Sequence, residues 1–526
     1  MHVRSVVVLA LVTLAGAPGC TLFSDYGSST EDARLAFERG DFKTAYEGYA
    51  EELDATNDWL LYHMEAGESA YMGKDYQTSI RLLTKTSDEI VEYQHRALTT
   101  DILQNVASMV SNEKAISYMG SAFEQILTQV YLALAHFQAG QREQVLPEII
   151  RCYEVQDAAR DVYNEELKNA ENEANAKRSE APDLDIGMVS TKLNEAYDYG
   201  DLSDAESVYQ INYVRYVNAW LREANASHQD DYNSAWIDLQ YLGDQFGNLE
   251  FIQRDLIRMA EASGDDPGAA ALRKRYKLPK LPDDYGSVVL FFESGMAPKL
   301  EEFGMIFPTY KGAAKFAVPI YKPVPNPVGN AVLTLGDYQA QTTTLSNVNS
   351  IAFRYHSDRM PLIIAKMVIR LILKIGIQSG GTVAIEQATK GTDHEGWGQL
   401  AALGFSAVTS VWNVVSEQAD LRCWRTLPQT MQATRLYLPA GTYPAKLTLL
   451  SPGGGTIKTV DLGTITVAAG KHRMVRARSL GTNAYFDVPA ESYDPVAIET
   501  RNVLEEGALR PPSVEASTRD VLAPGE

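Results

Sequence analysis

A chain of 526 residues with 45% apolar and 22% charged side chains is a folded globular protein too long for one ordinary core, so two or three domains are expected. Its formal charge of −21 argues against nucleic acid as a partner, since that affinity comes from Lys and Arg neutralising phosphates. The same charge disfavours broad adhesion to anionic lipid.

The first residues, "MHVRSVVVLALVTLAGAPGC", carry a basic start (His2, Arg4), an apolar run from Val6 to Leu14 and small residues ending at Cys20. The run is too short for an ordinary membrane span and reads as an export signal, residues 1–19. Ala17-Pro18-Gly19-Cys20 resembles a bacterial lipobox, in which the Cys20 thiol is acylated and becomes the new N-terminus; a non-lipid signal cleaved near Ala17 is the alternative. Residues 20–29, Ser/Gly-rich, then serve as a tether. Thr21 after the acylated cysteine, by resemblance to bacterial lipoproteins, favours the outer membrane with the body facing the periplasm. The covalent lipid at Cys20 is the one non-protein group expected; no cofactor, metal site or catalytic residue is indicated. Cys152 and Cys423 sit in apolar or aromatic surroundings and read as buried free thiols. No Cys pair has zinc spacing, and the His residues form no HExxH.

From residue 30 to about 280 the chain is dense in helix formers and repeats itself. "FERGDFKTAYEGY" and "YMGKDYQTSIRLL" align with Asp41 on Asp75, Phe42 on Tyr76 and Ala45 on Ser79, each 34 residues apart. That is the tetratricopeptide (TPR) period. Gly40 or Gly73 closes the first helix, an aromatic opens the second, and a small residue lets the two approach. A third copy keeps Gly140 but has Arg142 in place of the aromatic. A fourth, "NASHQDDYNSAWIDLQYL", restores Tyr232 and Ala235. Glu154 to Glu180 is a charged run that reads as a long helical extension with a solvated face. Ala181 to Leu202 reads as a loop.

After "KLPKLPDDYG" the pattern turns to strands: "SVVLFFE" from Ser287, "KFAVPIY" from Lys315 and "AVLTLGDYQAQTTTL". A β-sandwich-like domain over 285–487, split by an apolar helical pair at about 360–418, is the simplest account. In the first inserted helix Lys366, Arg370 and Lys374 share one face. They either meet lipid headgroups or form the wetted stripe of a core helix whose mate is the second insert helix. "SPGGGTIKT" reads as a hairpin turn rather than a P-loop, and "GFSAV" lacks the second Gly of a nucleophile elbow. Residues 488–526 read as a disordered tail. The fold class is multidomain α+β: an N-terminal TPR-like solenoid followed by the β-rich domain.

One stretch looks chemical: "ADLRCWRTLP" from Ala419. Asp420 and Arg422 can pair with each other or with backbone, Trp424 can cover a sheet end, and Pro428 cannot join a ladder. Neither a nucleophile beside a base nor a carboxylate pair is visible, so a structural corner is the better reading. This segment, with "YMGSAFEQILTQVYLALAHFQAG" and "YGSVVLFFESGMAPKLEEF", resembles an uncharacterised family of bacterial lipoproteins with a TPR-like region before a β-rich region. The resemblance spans about Asp25 to Ala477. In that family the motif more often has Thr and Ser where this chain has Leu421 and Cys423, so those hydroxyls are not essential here. The resemblance implies an anchor and a fold but no reaction.

The reading these features favour is a non-enzymatic envelope lipoprotein, a scaffold whose repeats bind another envelope protein in cell-wall synthesis or secretion assembly. The alternative is a lipid- or glycan-binding module built on the β-rich domain and the Lys366 helix; an enzyme centred on Asp420 and Arg422 comes last.

Overall fold

The computed structural model describes residues 26–55, 57–100, 116–181, 184–309, 312–373 and 419–488. Residues 1–19, read as an export signal, Cys20, Lys374, the stretch read as a second inserted helix, "GFSAV" and residues 489–526 lie outside the described residues.

Helices fill the N-terminal part and sheets the C-terminal part, a mixed α+β architecture. After one turn (α1, Tyr26–Ser29), α2 (Glu31–Glu38) packs with α3 (Phe42–Ala50), α4 (Trp59–Met72) with α5 (Tyr76–Thr99), and α6 (Ala122–Gln138) with α7 (Arg142–Lys177). Next comes α8 (Ile186–Ala196), then two further pairs: α9 (Asn212–Asn225) with α10 (Gln229–Phe246), and α11 (Glu250–Ala262) with α12 (Asp266–Tyr276).

Most of the pairs turn by one device. Gly40, Lys74, Gly140 and Gly264 have positive φ of 79°, 65°, 75° and 85°. Their N–H groups bond the carbonyls of Phe37, Tyr71, Phe137 and Glu261, and the next N–H groups reach Ala36, Ala70, His136 and Ala260. This is the Schellman cap, which satisfies the last carbonyls of a helix as the chain reverses. Asp41, Asp75 and Asp265 then accept from the backbone N–H of Thr44, Thr78 and Gly268, capping the next helix. In the second copy the left-handed residue is Lys74, not Gly73, and it is Lys74 that aligns with Gly40.

The fourth copy departs from its sequence alignment. Tyr232 does not open α10 but lies about one turn in, because the helix starts at Gln229 after an extended His228. Asp231 is the reason: its carboxylate takes the backbone N–H groups of Ser227 and His228 from inside the helix. Tyr232 and Ala235 are buried all the same, as are Phe42, Ala45 and Ser79, while Tyr76 is half-buried. The loop expected over 181–202 contains α8. Asp185 caps it, and Val189 and Leu193, four apart on one face, are fully buried.

The strands are β1 (Tyr285–Ser294), β2 (Lys299–Thr309), β3 (Gly312–Lys322), β4 (Asn330–Leu335), β5 (Tyr338–Gln341) and β6 (Thr343–Asn347). Helix α13 (Val348–Asp358) and a helix over 360–373 follow, then β7 (Thr430–Pro439), β8 (Gly441–Leu450), β9 (Thr456–Val467), β10 (His472–Leu480) and β11 (Asn483–Asp487). They form a five-stranded sheet β11-β10-β1-β7-β6, a four-stranded sheet β5-β4-β8-β9 and the hairpin β2-β3. As expected, the Ser451–Gly455 stretch is the turn between β8 and β9.

The continuous apolar run of β1 is explained by burial on both faces. Val288, Leu290 and Phe292 meet Leu333, Leu447 and Ile465 between the two larger sheets. Val289 and Phe291 point the other way, into a core shared with the helices. There Phe291 meets the rings of Tyr213, Tyr216 and Trp220, centroids 5.9, 5.9 and 5.8 Å away. The strands are therefore not an independent unit joined to the helices by a linker; the two share one core.

The inserted helix over 360–373 is likewise enclosed. Leu362, Ala365 and Ile369 pack on Ala170 of α7, while Val368, Leu371 and Ile372 pack on Phe307, Phe316 and Val318 of the hairpin. Lys366 and Arg370 are half-buried. Burial raises Glu166 of α7, but Lys366 and Arg359 outweigh it and hold that carboxyl below its usual range. The long charged helix α7 thus has one stretch covered by the chain's own insert, rather than a wholly solvated outer half.

A shared core makes a specific prediction. Phe291→Ala should cost about 3–5 kcal/mol, and helical and strand signals should be lost together in one urea transition. Two separated transitions would show that the layers fold independently.

Candidate functional site: the charged layer between helices and sheet

The first helices of the pairs lie against the five-stranded sheet, and they carry acids where an all-buried helix should be apolar. In "WLLYHMEAGESAYM" every residue of α4 but Trp59 is buried, including Glu65 and Glu68. In α6 Glu124 is buried, in α9 Glu223 and in α11 Asp255. The sheet answers with arginines at alternate positions, which a strand's period of two sends to one face. On β10 these are Arg476 and Arg478, with Arg435 on β7, and all three are buried.

The "ADLRCWRTLP" stretch is where loop, helices and sheet meet. Asp420 takes the Arg422 guanidinium through both oxygens, at 2.9 Å from Nε and 2.7 Å from Nη2. Arg422 also donates to Asp58 Oδ1 at 2.8 Å and to the carbonyls of Asn57 and Ile116, fastening the entrance loops of α4 and α6. Trp424 is 1% exposed, with its ring 5.9 Å from that of Tyr131. Its backbone N–H donates to Glu124 Oε1 at 2.7 Å and its indole N–H to Thr426 Oγ1 at 2.9 Å. Glu65 accepts the N–H groups of Arg425 and Thr426 and the Thr426 hydroxyl. Arg478 closes the set by donating to Glu68 and to the carbonyls of Gly295 and Thr426. Pro428 precedes β7, and the next residue, Gln429, donates to the Ser294 carbonyl.

Burial dominates two carboxyls at this corner, Glu65 and Glu68. It pushes Glu65 up to about 7, against the Thr426 and Arg425 hydrogen bonds, and Glu68 up to about 8, against Arg478. The Cys423 thiol rises to about 12 for the same reason. Cys152 and Cys423 are buried free thiols, as their surroundings suggested.

A second cluster lies beneath α9 and α11. Arg435 donates to Glu223 Oε2 at 2.9 Å, Asp255 Oδ1 at 2.8 Å and Ser287 Oγ at 3.0 Å. Arg258 donates to Glu223, to Tyr437 Oη at 3.1 Å and to His472 Nε2 at 2.9 Å. With Nε2 accepting, the His472 proton is on Nδ1, which donates to Ser287 Oγ at 2.8 Å. Desolvation, aided by Arg258 and Arg435, lowers His472 well below its usual value. Serine, histidine and carboxylate stand together here, yet not in order for acyl transfer. Ser287 is fully buried, its oxygen is already an acceptor from Arg435, and the imidazole is a poor base.

Of the residues singled out from sequence, Asp420, Arg422 and Trp424 are brought together in the first cluster, with Pro428 at its edge. Phe42 and Tyr76 stand nearby at the β11 edge, where Phe42 packs on Tyr485 and the Tyr76 hydroxyl donates to Asp487. Lys366 and Arg370 belong to the separate helix on α7. The acids and arginines of the charged layer were missed. Their signal was Glu65 and Glu68 inside an otherwise apolar or small helix, and the alternating arginines of "HRMVRARSL". Among the described residues no group of His, Cys, Asp and Glu is arranged to hold a metal ion. No protein-family model matches the chain, and neither a curated protein nor a solved structure is significantly similar to it.

The raised carboxyls make stability depend on pH. In the folded chain Glu65 and Glu68 keep protons up to about 7 and about 8, whereas ordinary glutamates release them near 4.5. The folded state therefore binds more protons in that window, and stability falls as pH rises through it. His356, lowered to about 3, and His472 act in the opposite sense, but only below the ordinary histidine value of 6.5. The urea midpoint should thus decline between pH about 6.5 and about 8, and Glu68→Gln should flatten that decline. A midpoint that rises over this range in the unmodified chain would contradict a buried neutral Glu68. At the same corner Trp424→Ala should cost about 3–5 kcal/mol, read as a lower midpoint.

Proposed function

We propose that the protein is a non-enzymatic scaffold of the bacterial envelope, tethered to the outer membrane by lipid on Cys20 and binding a partner protein through its helices. In this reading the helix pairs are TPR-like repeats, supported by the recurring Schellman turns and the spacing of 34 residues from Gly40 to Lys74. The two larger sheets, packed face to face across one core, are read as a sandwich. The export signal and the family resemblance support the anchor and the location.

One observation carries the scaffold reading and changes the face it uses. The inner helices α4, α6 and α9 are buried almost throughout and engaged by the sheet. Among the described residues, the large apolar side chains that the helices leave exposed lie on outer helices: Val91 and Leu98 on α5, Ile150 on α7 and Ile237 on α10. These helices are tied side by side, through Arg151–Asp88 at 2.9 Å and Tyr153–Asp238 at 2.5 Å. A partner therefore docks on the outer row rather than in the inner groove. The charged clusters serve construction, since their acids and bases are already consumed by one another.

Photo-crosslinkers placed at Ile150 and Ile237 in intact cells should capture one protein, whereas the same group at Tyr338, on the far sheet, should not. Ile150→Asp with Ile237→Asp should abolish capture while shifting stability by no more than about 0.5 kcal/mol, as surface changes do. Equal capture from all three positions would remove the outer row as the docking face. Cys20→Ser should move the protein from the membrane fraction to the soluble one and end labelling by a fatty-acid probe. Persistent labelling would remove the anchor from the proposal.

A further inference from the structure

We propose that the cleft between α11, the 279–283 linker and the end of the five-stranded sheet is a binding site for a small anionic saccharide, a sugar bearing a carboxylate or phosphate. The site is independent of the scaffold reading. The cleft has a volume of about 520 Å³, in the range of small-ligand pockets, and such pockets favour junctions between structural layers.

Charge is the first reason. The chain carries −21 overall, yet four cations line this one concavity: Arg254 and Arg258 one turn apart on α11, Arg273 on α12 and Lys280 in the linker. Three carboxylates line it too, and two of them are already engaged: Glu223 by Arg258 and Arg435, and Glu261 by Arg273. Asp283 remains, exposed on the linker. The cations are not equally bound. Arg258 is built into the charged layer, whereas among the described residues Arg254 is held through Nε and Nη2 by Glu250 alone, whose side chain is 65% exposed and outside the cleft. Lys280 is exposed and makes no hydrogen bond or ion pair among the described residues. Among the described residues Lys280 is thus open to an incoming anion, and Arg254 can turn to it the guanidinium edge that the exposed Glu250 does not take.

The walls supply the second reason. Tyr232, Tyr285 and Tyr437 line the cleft with Ile257 and Pro279. Tyrosines present an apolar face to the C–H side of a sugar ring and a hydroxyl to its hydroxyls, although the Tyr437 hydroxyl is already engaged by Asp255 and Arg258. A purely apolar ligand would leave the cations unanswered, and a bare inorganic anion would leave the rings unused.

Calorimetric titration of the whole chain with glucuronate, glucose 1-phosphate and neutral glucose tests the assignment. At least one of the two anions should bind at millimolar or lower concentration, about tenfold more tightly than glucose, and more weakly as salt is raised. Arg254→Gln with Lys280→Gln should lower that affinity by about tenfold while leaving the urea midpoint unchanged, because neither residue joins the buried ion pairs. The proposal is overturned if neither anion binds at millimolar concentration. Glucose binding as well as the anions, or a stably folded double variant binding like the unmodified chain, would overturn it equally.

Discussion

Everything in this fold depends on a layer of buried charge: arginines of the sheet set against carboxylates of the inner helices. Ion pairs such as Arg476–Glu293 and Arg435–Glu223 are almost wholly removed from water. Taking such charges out of water costs as much as their attraction returns, so they are a weak source of net stability. The apolar residues around them, from Trp424 to Phe291, drive association. What the charges impose is alignment. On β10, His472, Met474, Arg476, Arg478 and Leu480 share the helix-facing side, and a slip of one residue would turn both arginines into the apolar core between the sheets. The acids on the helices would then be buried alone, at a cost of several kcal/mol each.

The same layer explains why the motif around Trp424 looks like chemistry. Its acids, bases and hydroxyls are the polar contacts that a loop needs when it enters a dry interface. Thr426 links the Trp424 indole, Glu65 and the Arg478 guanidinium through its hydroxyl, N–H and carbonyl. A polar residue in an apolar setting reports burial with a partner at least as often as it reports catalysis, and here Asp420, Arg422, Trp424 and Thr426 all have such partners.

Local features of the fold were legible in the sequence because they are local in cause. The turn at Gly40 and Asp41, the hairpin at Ser451–Gly455 and the boundary near Pro282 all follow from residues within a few positions of each other. The helix at Ile186–Ala196 was legible too, from Val189 and Leu193, but Pro182 and nearby glycines masked it. Tyr232 aligned correctly in sequence and sat differently in space, since Asp231 capped from inside the helix instead of before it. The charged layer was legible only as an anomaly. Glu68 and Arg478 are 410 positions apart, and nothing local to either names the other. Read alone, Arg476 and Arg478 suit a solvent-facing strand side; their burial follows only from the presence of α4 and α6 above them.

That separation also orders the assembly. β1 lies at the centre of the five-stranded sheet, paired with β7 on one side and with β10, in parallel, on the other. Until β10 arrives, Glu293 has no arginine to face and Glu68 lacks its donor Arg478, so the first helices cannot close on the sheet without burying an uncompensated charge and an unpartnered carboxyl. Contacts of such long range carry a large loop-closure cost and form late. The helix pairs, held by short turns, can form early but stay half-exposed until the C-terminal strands complete the layer. A chain lacking β10 would therefore have its helices and no stable place for their acids. The final strands act as the step that commits the fold, which is why the helical array and the sheets form one body rather than two.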